Sequence, residues 1–203
     1  QVIPTTNASV HRIRAFSVPV RLPDGHEGRC FGMCIDHSDR TPRTSRTADT
    51  GSLVTMFENI AALPDLARRA DQWFPAYVQR IREHLGDAAP PTKSMSAAIG
   101  FVWEDGRRIS LALASAGAIT GVVVRAPAHG NPSVIDCVAA QPIPETLQFH
   151  TAIEGAITSD DTIIIGPTAF ADAIPHALLV RTFAGTNRAA GLLHLTGSLD
   201  NAK

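Results

Sequence analysis

Leu22-Pro23-Asp24-Gly25 and, a few residues later, Cys30-Phe31-Gly32-Met33-Cys34-Ile35-Asp36-His37-Ser38-Asp39 form the stretch on which the reading of the fold turns. Before it, residues 12–21 alternate enough to form a strand. The Leu-Pro-Asp-Gly tetrapeptide closes that strand with a turn, because proline presets φ and glycine tolerates the left-handed region. The partner strand is residues 30–35, a short apolar run of the kind buried on both faces of a sheet. Asp36-His37-Ser38-Asp39 stops it abruptly. Residues 41–50 have no apolar period and read as an exposed loop, with Arg40, Arg43 and Arg46 as the only basis for phosphate or nucleic-acid binding.

Two helices follow. Ser52 is the expected N-cap of a segment through Ala62, and Pro64 suits the first turn of a second helix running to about Leu85. In that helix Leu66, Ala70, Trp73, Tyr77, Ile81 and Leu85 recur at three- and four-residue spacing, which makes Trp73 and Tyr77 core residues rather than a cofactor platform. Gly86 ends it, and Ala88-Ala89-Pro90-Pro91 is a stiff connector. The pattern then turns to β: strands at 96–103, 109–114, 121–125 and 134–139, a Pro-rich stretch, and a buried strand at 162–165. Residues 169–195 are Ala-rich and helical in pieces broken by Pro175 and Gly185. Strands, two helices, more strands and terminal helices make an α+β layered domain, a sandwich of sheets flanked by helices.

The 203 residues, 44% apolar and 18% charged, suit one domain with a buried core, and we read residues 1–203 as a single unit. No apolar run reaches the roughly 18 to 20 residues of a membrane span, and the start at Gln1 has no leader pattern, so no membrane role is expected. A net charge of -1 gives nucleic-acid binding no support from composition. Cys30, Cys34 and Cys137 are an odd set, two of them in an apolar stretch, which favours an intracellular location, cytosol or organelle interior.

No Gly-x-Gly-x-x-Gly, Walker loop or Gly-x-Ser-x-Gly elbow is present, so dinucleotide, P-loop and hydrolase-elbow readings have no motif. Cys30 and Cys34, four apart on a strand, share one face but lack the other zinc ligands, and read as buried thiols. Asp36-His37-Ser38-Asp39 at the end of a buried strand, and Asp200-Asn201, are the two constellations that suggest a metal, although each taken alone reads first as a turn, since Asp, Asn and Ser are loop residues.

In order along the chain, these elements resemble the type 2C, metal-dependent (PPM) protein phosphatases. The family's Asp-Gly-His-Gly-Gly strand end is similar to Asp36-His37-Ser38-Asp39, and its Gly-Ser-Thr-Ala strand to Ser94-Met95-Ser96-Ala97-Ala98. Its Asn-x-Gly-Asp-Ser-Arg-Ala corresponds to Ser115 through Gly121, its Ser-Asp-Gly-bearing strand to Asp161 through Asp172, and its Gly-Ser-x-Asp-Asn to Gly197-Ser198-Leu199-Asp200-Asn201. The resemblance implies a four-layer α-β-β-α sandwich of two mainly antiparallel sheets, shortened, with the flap region between Gly121 and Gly166 trimmed.

It also implies a broken metal site. The family holds two magnesium or manganese ions with carboxylates. Here its first-strand Glu and Asp fall on Ile13 and Arg14, its phosphate-binding Arg near Ser9, its metal-ligating Gly on His37, and two further Asp on Ala118 and Thr168. Only Asp36 and Asp200 keep acidic metal positions, with Asp172 and Asn201 as retained neighbours, and Arg14 adds a positive charge that repels a dication. The implied protein is catalytically inactive, with no catalytic residues, no cofactor beyond weak residual magnesium or manganese binding, and a protein partner. The alternative is an active metal-dependent serine/threonine phosphatase whose site is rebuilt from His37, Asp39, Asp160, Asp161 and Asp172 beside Asp36 and Asp200; Asp160 and Asp161, lying before their strand, are expected at its wrong end.

Overall fold

A computed structural model describes residues 12–37, 49–86, 94–106, 108–125, 132–143 and 146–183. The hairpin on which the reading began is β1 (Arg12–Arg21) and β2 (Glu27–Asp36), antiparallel in the register Arg12 opposite Asp36 through Arg21 opposite Glu27. Its turn closes with the Gly25 N–H donating to the Leu22 carbonyl at 3.0 Å, and Gly25 takes φ +88°. β2 begins at Glu27, before the apolar run.

The helices that follow are α1 (Thr50–Ala61) and α2 (Ala70–His84). The N-cap of α1 is Asp49 rather than Ser52: its carboxylate accepts from the Ser52 N–H at 2.8 Å, satisfying one of the free donors of the first turn. α2 starts at Ala70 and not at Pro64. Pro75 lies inside it, where the periodicity of the surrounding apolar residues holds the helix together. The remaining elements are β3 (Met95–Asp105), β4 (Arg108–Ala116), β5 (Ile119–Arg125), β6 (Ser133–Val138), β7 (His150–Ile157), β8 (Thr162–Pro167), α3 (Thr168–Ala173) and α4 (His176–Phe183). β7 falls where the sequence reading placed no strand. The stiff connector and residues 184–195 lie outside the described residues.

Five strands pair in the order β1-β2-β3-β4-β7 and three in the order β6-β5-β8, antiparallel throughout. Strand alternation gives the five-stranded sheet two apolar faces. On the outer face, Phe16, Cys30, Cys34, Ala97 and Phe101 pack against Phe57, Trp73, Tyr77 and Ile81 of α1 and α2. On the inner face, Ile35, Ala98, Leu111 and Leu113 meet Val123, Cys137 and Val138 of the smaller sheet. The far face of that sheet, with Val122 and Val124, is covered by Ile174, Leu179 and Phe183. This is the expected α-β-β-α layering.

The outer core carries the aromatic weight. The Trp73 ring lies 4.9 Å from Tyr77 and 4.4 Å from Phe101 between centroids, and the Tyr77 hydroxyl donates to the Phe57 carbonyl at 3.1 Å. Each such side chain contributes about 1.5–3 kcal/mol by burial alone. The same burial pushes the Cys30 and Cys34 thiols up to about 12, so they are inert core residues, as their shared strand face implied. Among the described residues no helix is long and apolar enough to cross a membrane.

Candidate functional site

One pole of the sandwich gathers the strand ends that the motifs pointed to. β2 ends there at Asp36, opposite Met95 at the start of β3; β4 ends at Ala116, opposite Ala97; and β5 begins at Ile119, opposite Pro167 at the end of β8. Register alone thus brings Asp36, His37, Ala118 and Thr168 to the same end of the molecule, although they span more than half the chain.

The Gly117-Ala118 turn is the hub. Ser96, fully buried on the face shared with Ile35, has its hydroxyl oxygen accepting the Ala118 N–H at 2.9 Å. The same oxygen lies 2.9 Å from His37 Nε2. The His37 N–H extends the β2–β3 ladder by donating to the Ser94 carbonyl at 2.7 Å. The Ala118 carbonyl accepts from the Thr168 N–H at 3.4 Å, and the Gly117 carbonyl from the Gln141 N–H at 3.1 Å. Gly117 has φ +82°, and a Cβ there would stand 2.6 Å from the Ser96 hydroxyl oxygen, so the turn depends on glycine twice over. This tie between β3 of one sheet and β5 of the other was not legible in the sequence, where Ser96 is one small polar residue 22 positions from its backbone donor.

Asp36 is only 6% exposed, on the sheet face that also carries Cys34. Ile13 stands opposite Ile35 and is 44% exposed; Arg14 stands opposite Cys34, two positions along the same face as Asp36. The Thr168 hydroxyl is buried without a hydrogen-bond partner. Hard dications need several oxygen donors, preferably carboxylates. The bonds and strand ends described above bring together the Asp36 carboxylate, the His37 imidazole and the Ser96 and Thr168 hydroxyls, that of Ser96 already engaged, and no group of three His, Cys, Asp or Glu among the described residues is placed to hold a metal. That donor set does not fit a pair of magnesium or manganese ions. Asp39, Asp200, Asn201, Ser9, Arg40, Arg43 and Arg46 lie outside the described residues.

Two carboxylates of the rebuilt-site alternative, Asp160 and Asp161, do not join it. Asp160 and Asp161 precede β8, at the opposite end from Thr168. The Asp161 side chain is fully buried and accepts from Arg125 Nε and Nη2 at 3.2 and 3.1 Å and from the Thr158 N–H at 3.0 Å. Asp172 is exposed on α3. An open cleft of about 780 Å³, between the β1–β2 turn and the α1–α2 connection, lies at the end of the hairpin away from Asp36 and is lined by Pro23, Asp24, Pro64, Asp65, Arg68 and Arg69 among others.

No family model matches this chain, and no curated protein matches it. Among solved structures it is similar to PppA, a key regulatory component of T6SS in Pseudomonas aeruginosa, with 9% identity and a TM-score of 0.51 over 93% of this chain and 90% of that one. Serine/threonine phosphatase Stp1 from Staphylococcus aureus gives 9% identity and a TM-score of 0.49 over 100% and 94% of the two chains. The serine/threonine phosphatase of S. agalactiae gives 12% identity and 0.46 over 90% and 86%. At such identities the likeness is one of fold: the chain is an α+β protein with two antiparallel sheets, and over 93% of its length it shares the PPM phosphatase-like framework of PppA.

Proposed function

We propose that this chain is a pseudophosphatase, a phosphatase-like framework that no longer hydrolyses phosphoesters and works by binding, scaffolding or regulating a protein partner. The observation that carries this reading is the composition of the Asp36 pole. The strand ends converge there as a metal-dependent phosphatase requires, yet the positions matching its carboxylates are Ile13, Arg14, Ala118 and Thr168, and the inward space is spanned by the His37–Ser96–Ala118 hydrogen bonds. A fold outlives its chemistry when core residues persist and site residues do not. In this reading Asp36 and Asp200 retain at most weak affinity for one cation, because a hydroxyl and a methyl group replace the oxygens that would neutralise a second dication.

The test is calorimetric titration with manganese, paired with turnover of p-nitrophenyl phosphate. The expected result is no stoichiometric binding at micromolar manganese and no turnover above buffer. Two ions bound per chain with metal-dependent turnover refute the proposal.

A further inference from the structure

We draw no further inference here: the strongest candidate, the cavity of about 150 Å³ lined by Leu111, Val123, Ile135, Cys137, Ile153 and Ile157 on the flank where β6 and β7 lie, carries none, because β7 is unpaired there only among the described residues and nothing in the structure shows what covers it.

Discussion

The two ends of β5 are built on opposite principles. At the Ile119 end, the Ala118 peptide is held by the neutral Ser96 hydroxyl and by backbone groups. At the Arg125 end, a fully buried carboxylate, Asp161, accepts three donors, two of them from one guanidinium. The buried charge of this strand thus lies away from the pole at which a metal-dependent phosphatase concentrates its carboxylates. Charge at the Arg125 end closes a turn and locks the start of β8; the other end of β5 brings no charge of its own to the pole that holds Asp36. Identical strand geometry therefore serves structure at one end and, in the reading proposed above, a vacated site at the other.

The largest effect is expected from Asp161→Ala. Removing one member of a buried pair strands the other and usually costs about 3–5 kcal/mol, but the Arg125 side chain is 37% exposed and recovers water, so about 3 kcal/mol is expected. Urea unfolding measures it. A loss below about 1 kcal/mol would mean that the charged end contributes no more than a surface ion pair.

At the neutral end, Gly117→Ala should cost about 2 kcal/mol, part from the left-handed backbone and part from displacing the Ser96 hydroxyl. In a Ser96→Ala background the second part disappears, and the added cost should fall to about 1 kcal/mol, the left-handed backbone remaining. Additive losses in that double-mutant cycle would show that the two residues do not meet, and that the tie between the sheets is weaker than its 2.9 Å distance suggests.

Much of this architecture was legible in the sequence because it rests on periodicity. The four-residue spacing of Cys30 and Cys34 put both in the outer core, and the helical repeat from Ala70 to Ile81 put Trp73 and Tyr77 beneath them. β7 was not legible, since His150–Ile157 carries only two large apolar residues and is held as a strand by its pairing with β4. The start of α2 misled for a related reason: Pro64 is a fair first-turn residue, but buried periodicity begins only at Ala70. For the site, the order of motifs located Asp36, Ala118 and Thr168, while the bonds that join them through Ser96 depend on strand register that no local pattern encodes.

Restoring charge to the neutral end inverts the comparison. Ala118 and Thr168 are joined by a backbone hydrogen bond and half-exposed at the pole. The double variant Ala118→Asp, Thr168→Asp should therefore hold a divalent cation beside Asp36 more tightly than the wild type does. With a dissociation constant near 0.1 mM, 1 mM manganese would stabilise the variant by about 1.4 kcal/mol and the wild type by nothing measurable. Melting with and without the metal reads this directly. Equal responses of the two proteins would mean that the strand ends have drifted too far for carboxylates to converge.

The smallest effect concerns the thiols, and it separates the charged end from the outer core. Burial raises all three, Cys30 and Cys34 to about 12, whereas at Cys137 burial is opposed by the Val123 backbone and by Arg125. Against an ordinary value of 9.0, the folded state favours the protonated thiol. These groups therefore leave stability unchanged below about pH 9 and lower it as pH rises from there towards 12, because unfolding then releases their protons. At pH 8 a thiol held near 12 is ionised in about one molecule in ten thousand, so a disulfide reagent should leave Cys30 and Cys34 untouched in the folded protein. Cys137 lines a cavity of about 150 Å³ on the flank between β6 and β7, beside Gly155, so it should react first, and Gly155→Val should slow it by filling the path. If all three react together at the rate of global unfolding, the flank is closed in solution and the charged end of β5 is as tightly sealed as the core.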